Sequence, residues 1–460
     1  MDEVTQEALA LPLNRLPTRR PLFVEATATV QEAARLMTEA NVTSVLVHGE
    51  PPGILTDRDL RRRVVAAGLR PETLVATVMS RPLRTLDSDT PVHGAMLMML
   101  EQGIHHVALV EEGQVVGLVT SSDLLRHQSH SPLYLQAQLQ NLDTPAALQG
   151  YSAETAQIAQ LLLNGGMGAA QIGRIISSLN DALVQRLART AERELGPPPV
   201  PYAWVVFGSE GRSEQIMLTD QDNALVYAEE SEAAQAYFGA LAQRMVGGLL
   251  AAGFPPCPGG YMATNWCLPL SAWMQHFDNW LHVPEPQALM EAGIFFDFRS
   301  VHGELSLEPL DRLLATAQHN GLFITHLLRA AQQFAPPLGL FNRIRTEDGS
   351  IDIKFGGLAP IVSLTRALSL AAGSRKRSTL ERLAAAEAGG KLSGEGAGDL
   401  SAAFTFLLEL RLRRQLAARD AGLQPNNRIV LNELPGREQK QLRDYLVRVR
   451  ELQDAIGERA

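Results

Sequence analysis

The sequence predicts an α+β multidomain chain: a pair of α/β repeats, a helical connector, a mixed sheet with flanking helices, and a C-terminal helical bundle. Three observations carry that prediction. The first 130 residues contain an internal repeat. Further on, an apolar run enters a Gly-Ser turn and a polar loop, and leaves through two acids into a second apolar run. Beyond residue 309 the pattern is helical, with one glycine-rich interruption, EAGGKLSGEGAGD, at 387–399. The expected divisions are 15–130, 131–196, 197–308 and 309–460.

In the repeat, VQEAARLMTEANVTSVLV (30–47) is echoed by VHGAMLMMLEQGIHHVALV (92–110). Each copy reads as an amphipathic helix followed by a short β-branched strand. A glycine-led strand then ends in a hydroxyl residue with an acid three positions on: GILTDRDL at 53–60 and GLVTSSDL at 117–124. A unit that small struggles to bury a core alone, so the two copies are expected to pack face to face. Thr56 with Asp59, and Thr120 with Asp123, admit two readings. The acid can accept ribose hydroxyls while the threonine donates to phosphate, or the pair can cap the next helix. His105 and His106 lack further ligands at metal spacing and read as strand entry. Arg61, Arg62 and Arg63 read as a solvated face or as help in holding phosphate.

From 131 to 196 two apolar-periodic helices flank Gly165-Gly166, and GPPPVP (196–201) ends them because proline cannot continue a helix. The apolar run AWVVF then delivers Gly208-Ser209, whose turn amides suit phosphate. Asp220 and Asp222 are spaced i, i+2, which on a strand puts both carboxylates on one face. Their repulsion is most easily offset by a divalent cation. Trp273 and Trp280 lie seven apart, on one helix face, and read as core. IFFDFRSVHGE (294–304) reads as a strand with Phe295, Asp297 and Arg299 on one side. Asp297 is then either a third carboxylate beside Asp220 and Asp222 or half of an edge pair with Arg299. Lys354 is a candidate cation for a triphosphate.

Composition narrows the function. A chain of 460 residues suggests about three domains. A net charge of -9 and a pI near 5.7 argue against nucleic acid as the main partner. Cys257 and Cys267 form no CxxC pair and no disulfide framework, which fits a cytoplasmic protein. No apolar run reaches membrane-spanning length, and the N-terminus lacks the apolar core of a signal peptide.

Two resemblances follow from these motifs. The G-h-h-T-x-x-D-L pattern in both repeat copies resembles a CBS domain pair over roughly residues 15–130. That resemblance implies AMP or ATP in clefts between the copies, held by Thr56, Asp59, Thr120 and Asp123, and a homodimer formed through the CBS module. The set Gly208-Ser209, Asp220-Gln221-Asp222 and Asp297 in FFDFR resembles the nucleotidyltransferases of the DNA polymerase β superfamily. The loop GSEGRSEQ is most similar to the PII-uridylyltransferase branch. The full order resembles bacterial CBS-domain nucleotidyltransferases. It implies transfer of a nucleoside monophosphate from an NTP to a protein or small-molecule hydroxyl. Asp220, Asp222 and Asp297 would be the catalytic and metal-holding acids for two Mg²⁺ ions. Gly208, Ser209, Arg212 and Lys354 would bind nucleotide, with Arg212 neutralising the departing pyrophosphate. The competing expectation is a catalytically silent nucleotide sensor that signals to a partner.

Overall fold

The computed structural model describes residues 11–16, 21–125, 132, 135, 148–217, 220–283 and 285–457. These fall into two compact units, Met1–Tyr134 with Asn164–Gly166, and Leu135–Leu163 with Met167–Ala460.

In the first unit each repeat copy builds a three-stranded sheet of the same topology. β1 (Phe23–Glu25) runs parallel to β2 (Ser44–His48), which pairs antiparallel with β3 (Gly53–Thr56). The second copy repeats this with β4 (Thr85–Asp87), β5 (His106–Glu111) and β6 (Gln114–Thr120). The helix between the first two strands of each copy starts and stops where local chemistry requires. α1 (Val30–Glu39) opens on a capping box between Thr29 and Glu32. α2 (Val92–Gln102) ends at Gly103, whose φ of 62° only glycine adopts freely. Val30, Ala33 and Met37, spaced i, i+3 and i+7, pack on Val45, Val47 and Leu55 as the first copy's core.

The second unit is built on a mixed sheet of order β10-β7-β8-β9. β7 (Tyr202–Val206) pairs antiparallel with β8 (Asn223–Tyr227) and with β10 (Arg299–His302), and β9 (Cys267–Pro269) runs parallel to β8. Every residue of β7 and β8 is buried, so both are central strands covered on both faces. From the stretch read as a helical connector, α3 (Tyr151–Asn164) and α4 (Ala169–Leu195) lie almost entirely within this unit. α4 packs on β10 and on α5 (Glu232–Ala251). Its stripe Ile172, Ile175, Ile176, Leu179 and Leu183 is fully buried.

The stretch around Asp297 corrects a second expectation. IFFDF is not a strand. α6 (Leu270–His282) is followed by α7 (Pro286–Phe295), and Phe296, Asp297 and Phe298 form the turn between α7 and β10. Phe295, Phe296, Asp297 and Phe298 are all buried, which strand alternation does not allow for a half-covered sheet. Trp273 and Trp280 do share a face of α6, where they join Trp266, Phe277 and Phe295 in one aromatic core.

C-terminal to the sheet, α8 (Glu308–Ala315) and α9 (Gly321–Gln332) lead to a small antiparallel pair, β11 (Ser350–Asp352) with β12 (Arg428–Val430). α10 (Ala359–Ala371) packs between α9 and α11 (Thr379–Ala388), and α12 (Gly394–Asp420) packs against α13 (Gly436–Gly457) and α4. Among the described residues no helix is long and apolar enough to cross a membrane.

Candidate functional site

The sequence DQDN at 220–223 alternates as it enters β8. The Phe207 N–H donates to the Asp222 carbonyl at 3.0 Å, so the ladder begins before the strand proper. Gln221 and Asn223 turn inward: the Gln221 amide donates to the Phe254 carbonyl, and the Asn223 side chain accepts from the Ala263 N–H at 2.8 Å. By the same alternation Asp220 and Asp222 share the other face, Asp220 exposed and Asp222 partly so. Burial pushes the Asp222 carboxyl up, and the charge of Asp220 adds to the shift. The Cys257 thiol and the Lys354 ammonium oppose it.

The Gly-Ser turn sits against this pair. Gly208 has φ 55°, and a β-carbon there would stand 3.4 Å from the Asp222 Oδ2. Gly208–Gly211 forms one helical turn, and the first N–H groups of a helix have no intrahelical partner. Lys354, solvent-accessible but crowded by protein, comes within electrostatic reach of both acids. Burial and the Arg411 guanidinium lower its ammonium, and Asp222, Asp220 and Asp352 pull it back up. Gly208 thus lies against Asp222, Lys354 feels the charges of both Asp220 and Asp222, and Ser209 follows Gly208 in the same turn. Arg411, which sequence reasoning missed, is buried and donates to the Asn427 side chain at 2.8 Å.

Asp297 does not join them as a metal ligand. It is 0% exposed, and both carboxylate oxygens are taken by guanidinium groups. Arg366 spans it with bonds of 3.1 and 2.7 Å, Arg212 reaches Oδ2 at 2.5 Å, and Arg382 lies 2.7 Å from Oδ1. Burial pushes this carboxyl up, but Arg366, Arg382 and Arg212 outweigh it and hold the group well below the usual carboxylate range. A cation cannot replace three well-placed guanidinium groups without stranding them in the interior. Nor is Arg212 free for pyrophosphate, because its Nε donates to Glu214 at 2.7 Å while Nη1 holds Asp297. Glu214 in turn accepts from the backbone N–H of Thr379 at 2.5 Å and from its hydroxyl at 3.0 Å, at the first turn of α11. The signal for Arg366 was present in the sequence: one charge inside the apolar helix APIVSLTRALSLA needs a buried partner.

These contacts fix the loop. Arg299 binds Asp181 through two bonds of 2.6 and 2.9 Å and donates to the Glu210 carbonyl, so in place of an Asp297–Arg299 edge pair Arg299 pairs with Asp181 and Asp297 with three other arginines. Gly211 lies so close to Asp297 that a β-carbon would fall 1.7 Å from its carbonyl oxygen. Among the described residues no group of three His, Cys, Asp or Glu is arranged to hold a metal, so the acid pair stands as a pair.

In the first unit, Thr56 and Asp59 form a capping box. The Thr56 hydroxyl donates to Asp59 at 2.7 Å and accepts from its N–H at 3.2 Å. Thr120 and Asp123 repeat it at 2.6 and 3.2 Å. Arg63 donates through Nη1 to the Val78 and Met79 carbonyls, while its Nε lies 3.4 Å from the Asp59 carboxylate. The two copies meet at His106, which lies 3.5 Å from the Thr43 hydroxyl and feels both Asp59 and Asp123. Burial, with the neighbouring His105, lowers its imidazole to about 4.

Comparison with known proteins agrees with this division. The CBS domain family matches residues 13–66 and 75–130. The family described as "Putative nucleotidyltransferase DUF294" matches 153–287, and "Putative nucleotidyltransferase substrate binding domain" matches 321–460. The CBS domain-containing protein YhcV of Bacillus subtilis is 35% identical over 113 residues, 24% of this chain and 81% of YhcV. An uncharacterized protein of Methanopyrus kandleri is 36% identical over 105 residues, and the match spans 22% of this chain and about half, 54%, of that relative. Among solved structures, an uncharacterized conserved protein from Pyrococcus horikoshii shares 36% identity over 27% of this chain and 93% of its own, with a TM-score of 0.25. A CBS domain protein from Pyrobaculum aerophilum, solved in complex with AMP, shares 27% over 25% of this chain and 90% of its own, with a TM-score of 0.23. The chain belongs to the family of CBS-domain proteins that join a CBS pair to the DUF294 domain and its C-terminal companion.

Proposed function

We propose that this protein is a Mg²⁺-dependent nucleotidyltransferase that moves a nucleoside monophosphate from an NTP to an acceptor hydroxyl, under control of adenosine nucleotides at the CBS pair. One observation carries the reading: Gly208 of a phosphate-type turn lies against Asp222 of the acid pair at the mouth of β8, with Lys354, from a distant part of the chain, within reach of both acids. Two adjacent carboxylates, Asp220 exposed and Asp222 half-buried, fit Mg²⁺, which characteristically uses one or two protein carboxylates together with substrate phosphates and water. When bound there, the ion supplies positive charge to the triphosphate and polarises the phosphorus under attack. Asp220 and Asp222 hold that charge on one face of the strand. The Gly208–Ser209 turn offers N–H groups and a hydroxyl to phosphate oxygens, and Lys354 takes over the charge-neutralising part first expected of Arg212.

The caging of Asp297 gives weight to the second reading, a nucleotide sensor without turnover, because a third acid was the feature a sensor does not need. The two are separated by Mg²⁺-dependent pyrophosphate release measured with each of the four NTPs. The transferase releases pyrophosphate, and Asp222→Ala reduces the rate by about a hundredfold or more. Saturable NTP binding with no release, equal in wild type and Asp222→Ala, overturns the enzyme reading.

A further inference from the structure

Residues 337–345 fold back on themselves next to the Lys354–Leu358 turn. Leu338 bridges Ile344, the Gly339 N–H donates to the Arg343 carbonyl at 2.7 Å, and the Arg345 N–H donates to the Pro337 carbonyl at 2.7 Å. At the corner the Arg343 N–H reaches the Leu340 carbonyl at 3.3 Å, and Phe341 and Asn342 have φ of 58° and 56°. Two successive left-handed residues make a type I′ corner, the geometry that favours Asn, Asp and Gly. Asn342 suits it and is further held by the Arg450 guanidinium. Phe341 does not, since a bulky side chain at positive φ is a strained outlier. Its ring is 94% exposed, and Leu340 beside it is 79% exposed. Neither backbone preference nor burial in this chain accounts for an aromatic residue there. Conflict of this kind at an exposed position points to a contact made outside the chain.

The position of the hairpin says what that contact serves. Pro337, at its base, packs on Gly356, where a β-carbon would come within 2.8 Å of the proline ring. Gly356 lies in the turn Lys354–Leu358, which carries Lys354 toward Asp220 and Asp222 and leaves Phe355 57% exposed beside it. The second arm of the hairpin carries Arg343 and Arg345, both exposed and neither in an ion pair among the described residues. Glu347, just beyond, is engaged by Arg428 at 3.6 Å. An apolar tip with two unpaired arginines on the arm behind it thus stands next to the turn that carries Lys354, on a chain whose net charge is -9.

We propose that this hairpin docks a protein acceptor through an exposed segment in which apolar residues are flanked by acids. Phe341 and Leu340 cover the apolar residues, and Arg343 and Arg345 face the carboxylates. The proposal names the acceptor class for the transfer proposed above and rests on that reading. RNA is the weaker fit, because two arginines on an acidic chain neutralise few phosphates.

The test is fluorescence anisotropy of the full chain with three labelled probes: a peptide with Leu-Trp between glutamates, the same peptide with lysines in their place, and oligouridylate. The glutamate peptide is expected to bind at least about tenfold more tightly than either other probe. Phe341→Asn, and separately Arg343→Glu with Arg345→Glu, are each expected to lose about tenfold of that binding. Phe341→Asn is also expected to melt at a higher temperature, which excludes misfolding as the cause of lost binding. Equal binding of the two peptides, binding unchanged in Phe341→Asn, or preference for oligouridylate overturns the proposal. Asp222→Ala should bind the glutamate peptide as wild type does. Docking by a wild-type chain that releases no pyrophosphate with any of the four NTPs would sink the transferase reading and leave the hairpin as a partner site.

Discussion

Glu210 shows what a single buried side chain in the GSEGR loop does to the whole protein. Burial raises its carboxyl to about 8, with Asp181 and Asp222 adding to the shift and Arg299 opposing it. The folded chain therefore keeps this proton where the unfolded chain, near 4.5, has released it. Its contribution to stability is fully present below the unfolded value and is lost as pH rises toward 8. Thermal melts across that window should show stability falling with pH, and Glu210→Gln should flatten the slope. An unchanged slope in the variant would assign the titration elsewhere. Glu210 was legible in the sequence only as a polar loop residue. Nothing in its spacing announced that Arg299, 89 positions later, would take its carbonyl.

At the scale of elements, the same loop is tied to α10 and α11 through the Asp297 cage and the Glu214–Thr379 bonds. Asp297→Asn leaves three arginines facing a neutral amide, and removing one partner of a buried ion pair typically costs about 3–5 kcal/mol. Asp222→Asn removes a charge from a partly open site and should change stability by less than about 1 kcal/mol. Urea unfolding of the two variants separates the roles. Equal small losses would mean that Asp297 is not caged in solution. The alternation of DQDN, the helix face of Trp273 and Trp280, and the glycine turn were legible because each depends on neighbours a few residues away. FFDFR was not, because its periodicity fits a strand as well as a helix end, and the choice was made by arginines 69 and 85 residues distant.

Over the whole molecule, the repeat was the most legible feature, since each copy's sheet and helix recur with the sequence that encodes them. Whether its acids serve ligand or cap was not legible, because the same Thr-x-x-Asp spacing satisfies both. The capping boxes leave ribose recognition by Asp59 and Asp123 as a proposal, which a melting experiment decides. Two compact units should give two unfolding transitions. AMP at a hundred times its dissociation constant should stabilise the first by about 2.7 kcal/mol. In Asp123→Asn that gain should vanish while the transition itself drops by about 1 kcal/mol from the lost cap. No shift with AMP in the wild type would leave the boxes as caps alone.

The Asp297 cage also sets an order of events during synthesis. Arg212 and Gly211 emerge from the ribosome long before Asp297, and Arg366 and Arg382 emerge later still. Until α10 and α11 are made, Asp297 lacks Arg366 and Arg382 and Glu214 lacks Thr379, although Arg299 already holds the Glu210 carbonyl. A chain that ends before α10 therefore carries Asp220, Asp222 and Ser209 but leaves Asp297 with Arg212 as its sole guanidinium partner of the three.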